Sequence, residues 1–219
     1  MKQMILKNRT IGMISALTMA FCMGLCPPPS SAADRVVVIP MGKSGAPAPV
    51  AKTGQTTSLM AGDDGDLQKG AGMAAGRFVD NNNGTVTDKF TGLIWLKEGQ
   101  CQSFFSGDAT GLNPRPWTEA ISAANKLASG YCGLIDGSKA GDWRLPNVNE
   151  LSSLLDRGPH FPALPLNCPL ATTIASLYWS STTYMNYSGW ACYVDFYNGN
   201  DGYTDKSTTF YVQCVRGGQ

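Results

Sequence analysis

The chain has 219 residues, with 17 basic and 16 acidic side chains and a single histidine, so its net charge is close to zero. After the N-terminal segment no Lys or Arg cluster is longer than two residues, and this argues against a nucleic-acid partner, whose phosphates require a positive surface. One histidine and the lack of Cys-x-x-Cys spacing argue against a structural zinc site or a thioredoxin-like redox motif.

The first 33 residues have the order of basic, apolar and small residues that is typical of a cleavable signal peptide. Lys2, Lys7 and Arg9 precede an apolar run over residues 11–25, and Ser31-Ala32-Ala33 offers a cleavage site. The run is shorter than the roughly 20 residues that span a bilayer. We therefore predict an exported protein that is secreted, periplasmic or at the cell surface, without a transmembrane segment in its mature form.

Five cysteines follow the predicted signal peptide, and an oxidising compartment favours disulfides between them. Cys101 and Cys132 flank a predicted helix, and Cys192 and Cys214 lie on predicted strands with matching apolar faces. We predict the pairs Cys101–Cys132 and Cys192–Cys214, which leave Cys168 single. Sequence alone does not fix the connectivity.

Residues 34–76 are predicted to form a flexible linker. The stretch is rich in Gly, Ala, Pro, Ser and Thr and lacks the hydrophobic periodicity needed to bury a core face. Its acidic residues Asp63, Asp64 and Asp66 are interpreted as solvated linker charges, with cation binding as the alternative.

The folded part is predicted to begin with a β-hairpin at Arg77. Two short β-prone runs flank Asn83-Gly84, a pair that favours a type I′ turn. Gly84 is fifth when counted from Asp80, whereas an EF-hand calcium loop needs glycine at the sixth position. Turn chemistry therefore explains this stretch, and a strand over residues 91–96 follows.

Two helices are predicted next. In the first, an apolar stripe repeats at helical spacing, Pro116 lies at the first turn and Gly130 is the expected C-terminal cap; the stripe consists of Trp117, Ile121, Ala124 and Leu127 or Ala128. In the second, Asn147 is the expected N-cap and Glu150 completes a variant of the capping box. The buried face of the second helix is predicted to consist of Val148, Leu151, Leu154 and Leu155.

The C-terminal third is predicted to consist of strands, with sequences YWSSTT, SGWACYVDFYNG and TTFYVQCVRGG. In the second of these, Trp190, Cys192, Val194 and Phe196 alternate with Ala191, Tyr193 and Asp195 on the other face. Residues 198–202 are predicted to be a turn because Asn, Asp and Gly dominate there.

The ordered strings GRFVDNNNGTVTDKFTGLIWLK, WTEAISAANKLASGYCGL, GDWRLPNVNELSSLLD, YWSSTT and YVQCVRGGQ closely resemble the Lcl C-terminal domain family. The family is named for the domain that follows the collagen repeats of a Legionella surface adhesin. The resemblance covers residues 77–219 and implies an α+β class. It further implies a compact C-type-lectin-like domain with two helices on a twisted antiparallel sheet. The best-known member binds sulfated glycosaminoglycans, but this domain has only 10 basic against 12 acidic residues.

Eleven of the 21 aromatic residues fall between residues 178 and 211, and this density indicates a binding surface. The aromatic residues interpreted as core are Trp179, Trp190 and Phe196. The predicted ligand-binding residues lie in loops rich in Gly and Asn; they are Tyr184, Tyr187, Tyr197, Tyr203, Asn198, Asn200 and Asp201. Weak calcium candidates are Asp195, Asp201 and Asp205, although the calcium motifs of lectins are missing. No other cofactor is expected.

No catalytic residue is predicted. The chain has no nucleophile elbow or phosphate loop, His160 lies in a proline-rich loop, and Arg144 is interpreted as a structural hydrogen-bond donor. The expected function is a non-enzymatic binding or adhesion module that recognises a glycan or a protein through aromatic loops. A structural or assembly component of an extracellular or envelope complex is the alternative. A cysteine-dependent oxidase is a remote third.

Overall fold

A computed structural model describes residues 50–72, 76–99, 101, 114–158, 161–165, 168–170 and 175–217. The predicted signal peptide, the first part of the predicted linker and His160 lie outside these residues. None of the helices among the described residues is both long enough and apolar enough to cross a membrane.

The described residues form short helices and antiparallel strands, which confirms the α+β class. The helices are α1 (Asp64–Leu67), α2 (Trp117–Lys126) and α3 (Val148–Ser152). The strands are β1 (Phe78–Asp80), β2 (Thr85–Asp88), β3 (Leu93–Leu96), β4 (Arg115–Pro116), β5 (Leu177–Thr183), β6 (Trp190–Asp195), β7 (Asn200–Asp205), β8 (Thr209–Phe210) and β9 (Val215–Gly217). They form three sheets, of order β1-β2-β3-β9, β4-β8 and β5-β6-β7. The C-type-lectin-like arrangement stays a prediction.

The β1–β2 hairpin is confirmed, but its turn differs from the predicted type I′. The amide of Asn81 donates to the Thr85 carbonyl, so the loop has three residues, with positive φ at Asn82 and Gly84. Asp80 accepts a hydrogen bond from the Asn82 amide. A Cβ at Gly84 would lie 2.4 Å from the carbonyl oxygen of Gly133. Glycine is therefore needed for close approach of a second loop as well as for its backbone angle.

Helix α2 buries the predicted stripe. Ala120, Ala124 and Leu127 are fully buried, and Trp117 and Ile121 pack against the same cluster. The predicted cap at Gly130 is wrong, because the helix ends at Lys126 and Leu127 is already extended. The chain leaves the helix at Leu127, three residues before the predicted cap at Gly130, because the Leu127 side chain is buried in the core.

Helix α3 begins with the predicted capping box. The Asn147 side chain accepts from the Glu150 amide, and the Glu150 carboxylate accepts from the Asn147 amide at 2.9 Å. Arg144 binds the same carboxylate through two hydrogen bonds of 2.7 Å, and its backbone bridges to Val215. This confirms the structural interpretation of Arg144 and Glu150.

Strands β5 and β6 separate two hydrophobic clusters. Trp179 and Ala191 belong to the first cluster, whereas Tyr178 and Val194 belong to the second. Because side chains alternate along a strand, the clusters lie on opposite faces of this sheet. Both faces are therefore buried along part of the sheet.

The disulfide Cys101–Cys132 is confirmed, with Cα atoms 5.1 Å apart. The predicted Cys192–Cys214 bond is wrong: both cysteines are free, as is Cys168. Cys192 is on the same face of β6 as Val194, which belongs to the second cluster, whereas Cys214 is buried in the first. The sheet lies between them, and alternation along one strand does not reveal this.

The predicted turn over residues 198–202 is partly wrong, because β7 begins at Asn200. The turn is over residues 196–199, closed by a hydrogen bond from the Gly199 amide to the Asp195 carbonyl. Gly202 lies within the strand opposite Tyr193, and a Cβ there would lie 2.6 Å from the Tyr193 hydroxyl oxygen. Gly202 makes room for the Tyr193 ring on the neighbouring strand. The sequence pattern alone does not distinguish such a glycine from one in a turn.

The last predicted strand is two strands. β8 pairs with β4 in one sheet, and β9 pairs with β3 in another. Between them, residues 212–214 are buried, and the Gln213 amide donates to the Leu96 carbonyl at 2.7 Å. The chain therefore changes sheets across a buried segment.

The second half of the predicted linker contains regular structure. Ala51 and Ala71 form a parallel bridge, and Asp63 caps the single turn of α1 by accepting from the Asp66 amide at 2.9 Å. Asp63 also accepts from the Leu59 and Met60 amides. Its carboxylate is thus used in local turns, and the pKa of Asp63 is lowered by these backbone hydrogen bonds. The Arg157 amide donates to the Thr53 carbonyl, so this segment contacts the rest of the domain.

Candidate functional site

Four aromatic rings form a closed cluster at one end of the β5-β6-β7 sheet. Tyr184 and Tyr203 are stacked, with centroids 3.9 Å apart and planes 6° from parallel. Trp190 lies 5.9 Å from Tyr203 and 5.5 Å from Tyr187, and Tyr187 lies 6.1 Å from Tyr184. Each ring therefore contacts two others. We call these four residues the ring cluster.

The ring cluster is exposed although it is strongly apolar. Tyr187 is 62% exposed, Tyr203 48% and Trp190 36%, and the neighbouring Met185 is 89% exposed. Tyr184 is half-buried beneath them. Contiguous exposed apolar surface of this kind is typical of interaction sites, because it gains free energy when a ligand covers it.

The β5–β6 loop that carries three of the rings is closed by its own backbone. The Tyr184 amide donates to the Trp190 carbonyl, the Tyr187 amide to the Tyr184 carbonyl, and the Trp190 amide to the Tyr187 carbonyl, at 2.9–3.2 Å. Residues 184–190 therefore form a tight loop that presents its rings in a fixed arrangement.

Lys206, at the end of β7, ties this loop to helix α2. Its ammonium donates to the Ser188 carbonyl at 2.8 Å and to the Thr183 hydroxyl at 3.0 Å. It also lies 4.0 Å from the centroid of the Trp117 ring, a cation–π contact. The Lys206 amide donates to the Gly189 carbonyl. One side chain thus links β5, the loop and α2, and its charge is directed at these partners.

The polar groups beside the rings are hydroxyls, an amide and a carboxylate. A side-chain hydrogen bond with Tyr184 raises the pKa of Tyr203, so the Tyr203 hydroxyl stays protonated at neutral pH. Asn186 donates to the Tyr184 hydroxyl at 3.1 Å. Asp205 lies opposite Trp190, and hydrogen bonds from Ser207 lower its pKa, so this carboxylate is ionised.

The structure divides the predicted ligand residues between the two ends of the sheet. Tyr184, Tyr187 and Tyr203 meet in the ring cluster, whereas Tyr197 and Asn198 lie in the turn between β6 and β7. At about 3.3 Å per residue, the length of β6 places these ends about 17 Å apart. Tyr197 contacts the exposed Phe161, with centroids 4.2 Å apart. Asn200 and Asp201 start β7 beside this turn, and Asp201 lies two residues before Tyr203 on the same face of the strand.

The weak calcium candidates do not gather. Asp201 and Asp205 are four residues apart on one strand, which is about 13 Å. Asp195 accepts from the Tyr197 amide and Asp205 from the Ser207 amide, so both carboxylates serve local turns. In the part of the chain that the structure describes, no group of three or more His, Cys, Asp or Glu side chains is arranged to hold a metal ion.

Sequence reasoning missed Trp190 and Lys206. Trp190 was interpreted as core with Trp179 and Phe196; those two are fully buried, but Trp190 belongs to the ring cluster. The sheet extends beyond the two hydrophobic clusters, and Trp190, the first residue of β6, belongs to neither of them. The adjacent Ser188-Gly189 was the available signal, since it places Trp190 at the edge of a loop.

A family model described as the Lcl C-terminal domain matches residues 84–216. No curated protein matches the chain. The matched range contains the complete ring cluster, Lys206 and both cysteines of the disulfide. It also spans more than half of the 219 residues. The chain therefore belongs to the Lcl C-terminal domain family.

Proposed function

We propose that this protein is an exported, non-enzymatic adhesion module that binds its ligand through the ring cluster. The observation that carries the proposal is a cluster of four aromatic rings, three of them exposed, beside a loop that is closed by its own hydrogen bonds. The adhesin-associated family supports it.

The ring cluster is not needed to fill the core. Both hydrophobic clusters are already filled by large side chains without exposure; these include Trp95, Trp143, Trp179, Tyr178 and Phe196. Cross-strand ring pairs stabilise a hairpin by about 0.2–1 kcal/mol each. That gain accounts for Trp190 and Tyr203 on facing strands, but Tyr187 lies in the loop and is the most exposed of the four. A substitution of Tyr187 therefore tests the binding role of the ring cluster separately from its role in folding.

The free thiols support a function without cysteine chemistry. Burial raises the pKa of the Cys214 thiol far above its ordinary value. Burial also raises the pKa of Cys168 and of Cys192, and for Cys192 the charge of Asp201 adds to the effect. A thiol that stays protonated is a poor nucleophile, which disfavours the cysteine-dependent oxidase alternative.

The assembly alternative has one observation in its favour. Cys192 is half-exposed and lies opposite Tyr203 beside the ring cluster. An accessible thiol in an oxidising compartment can form a disulfide with a partner. In that case, the native protein would run as a covalent complex on a non-reducing gel, and the complex would disappear in Cys192→Ser.

Binding to an array of glycans and immobilised extracellular proteins tests the main proposal. We expect the full chain to give reproducible hits that Tyr187→Ala weakens by about tenfold or more, as for an aromatic residue at the centre of an interface. Tyr197→Ala is the matched control, because Tyr197 is a similarly exposed tyrosine at the other end of the sheet.

Melting temperatures of the two variants complete the test. Both substitutions truncate exposed tyrosines, so both proteins should unfold close to the wild-type temperature. Hits that survive Tyr187→Ala and disappear with Tyr197→Ala would place the ligand at the β6–β7 turn and overturn the proposal.

A further inference from the structure

We infer that the ring cluster takes an uncharged saccharide, with sugar faces lying on the rings, and that it excludes sulfated glycans. The inference rests on the proposed function and adds the class of ligand. Three features support it: the short distances between the ring centroids, the polar groups at the rim of the rings, and the distribution of charge around them.

The spacing of the rings places the ligand on the outside of the ring cluster. An ammonium group held between two rings needs about 4–6 Å to the centroid on each side. The centroids here are only 3.9–6.1 Å from one another, so no such gap exists between neighbouring rings. The arrangement is therefore an outward-facing apolar surface, not a cage for a cation.

The rim of this surface has the polar groups that a sugar requires. A pyranose combines an apolar C–H face with hydroxyls at its edge, and aromatic rings stack on that face. The Tyr184 and Tyr203 hydroxyls, the Asn186 amide and the Asp205 carboxylate supply donors and acceptors beside the rings. The remaining donor and acceptor capacity of these groups can be used by sugar hydroxyls, whereas a purely apolar ligand would use none of it.

Of the ten basic residues of the domain, six are held by groups of the domain itself and a seventh lies at the far end of the sheet. Five of its ten basic residues pair with carboxylates within the described residues: Arg77, Lys97, Arg115, Arg144 and Arg216. Lys206 is held by Trp117, Ser188 and Thr183. Arg157 lies against Gly199, at the far end of the sheet. A sulfate on a ligand stacked at the rings would therefore meet no available guanidinium from these residues.

The exposed charges that share the Tyr203 face of β7 are negative. Asp201 and Asp205 flank Tyr203 at a spacing of two residues, so all three side chains point to one face of β7. Both aspartates are exposed. Their field repels sulfate and carboxylate groups over about one Debye length, which is about 8 Å at physiological salt. An uncharged sugar does not incur this repulsion.

Calorimetric titration of the full chain with four probes tests the inference. Cellohexaose and chitohexaose are the uncharged probes, and heparin and chondroitin sulfate are the sulfated ones. We expect an uncharged probe to bind, with an affinity that changes less than about twofold between 0.05 and 0.5 M NaCl, because no ion pair forms. Tyr187→Ala should weaken this binding by about tenfold, and Tyr197→Ala should not.

The outcomes separate this inference from the proposed function. Sulfated probes that bind more tightly, with loss in Tyr187→Ala, would overturn the uncharged class and keep the ring cluster as the site. Protein ligands whose binding requires Tyr187, together with no binding of any of the four saccharides, would also overturn the uncharged-saccharide class and keep the ring cluster as the site. Saccharide binding that is unchanged in both Tyr187→Ala and Trp190→Ala would overturn the site itself.

Discussion

At the scale of single residues, the ion pair Arg77–Asp88 is the most deeply buried charge pair described. Both side chains are at most 5% exposed, and the guanidinium binds the carboxylate through two hydrogen bonds of 2.7–2.8 Å. Arg77 also donates to the Ser153 carbonyl and lies over the rings of Phe78 and Phe90. The pair thus joins the β1–β2 hairpin to the end of α3.

Removal of one partner should be costly, because it leaves the other charge buried. We expect Asp88→Leu to lower the free energy of unfolding by about 3–5 kcal/mol, and the double variant Arg77→Met/Asp88→Leu to lose less. Urea unfolding measures both. Lys97→Met, which breaks an exposed pair with Asp80, is the control and should leave the midpoint nearly unchanged. A double variant less stable than Asp88→Leu would contradict this account.

The same pair gives the protein a stability that depends on pH. Burial raises the pKa of Asp88, but hydrogen bonds from Arg77 and Thr91 outweigh that effect and hold it below its ordinary value. A carboxyl group whose pKa is lower in the folded state stabilises the fold at pH values above its unfolded pKa of about 3.9. This stabilisation is lost as the pH falls through the pKa of the folded state. Wild type should therefore lose stability below about pH 4 more steeply than the double variant does.

The roles of single residues could be predicted from the sequence where they depend on residues nearby in the chain. Asn147 and Glu150 form the expected capping box because both partners lie within one helical turn. For Trp190 the adjacent Ser188-Gly189 gave only a partial signal, because its exposure depends on where the two hydrophobic clusters end. Glycines gave mixed results: Gly84 marked a turn correctly, whereas Gly202 marked a close approach within a strand.

At the scale of elements, the β5–β6 loop depends on Lys206, the residue that follows β7. Lys206 reaches the loop, β5 and α2 with one ammonium group. Sequence patterns place it after a strand and give no sign of these contacts, which join residues up to 89 positions apart, from Trp117 to Lys206.

We expect Lys206→Met to free the loop without unfolding the domain. The methionine keeps the aliphatic part of the side chain but loses the cation–π contact and both hydrogen bonds. Amide hydrogen exchange at residues 184–190 should accelerate by about 2- to 30-fold, the equivalent of the 0.5–2 kcal/mol that such a contact supplies. Lys126→Met, at the end of α2, is the control. Unchanged exchange in this loop would show that its own backbone bonds suffice.

Strand prediction succeeded for β5 and β6 and failed for β7. The first two strands contain aromatic and β-branched residues, whereas β7 reads NDGYTD, a composition typical of turns. β7 is a strand because β6 offers it six backbone partners in register. Tertiary pairing therefore overrides local preference in this strand.

At the scale of the whole molecule, the disulfide closes a loop that contains α2. Cys101 and Cys132 are 31 residues apart, and a loop of that length corresponds to about 3–4 kcal/mol in the chain-entropy model. Both cysteines belong to the first hydrophobic cluster.

The double variant Cys101→Ser/Cys132→Ser should therefore unfold at a lower denaturant concentration, with a loss of about 3–4 kcal/mol. Cys192→Ser, which changes a half-exposed free thiol, is the matched control and should unfold like wild type. Equal midpoints for all three proteins would mean that the disulfide adds nothing to the native state.

The family and the α+β class could be predicted from ordered motifs along the chain. The division into three sheets could not, because β9 and β8 pair with strands that are far away in sequence. The wrong Cys192–Cys214 pair has the same origin: a strand pattern identifies two faces but not which cluster each face joins.

The environments of the tryptophans give the protein a built-in optical reporter. Trp95, Trp143 and Trp179 are fully enclosed, and Trp117 is covered on one side by Lys206, whereas Trp190 is open to water. Acrylamide should therefore quench mainly the fluorescence of Trp190. A ligand seated on the rings would shield that indole and shift its emission to shorter wavelengths, so that occupancy can be followed without a label.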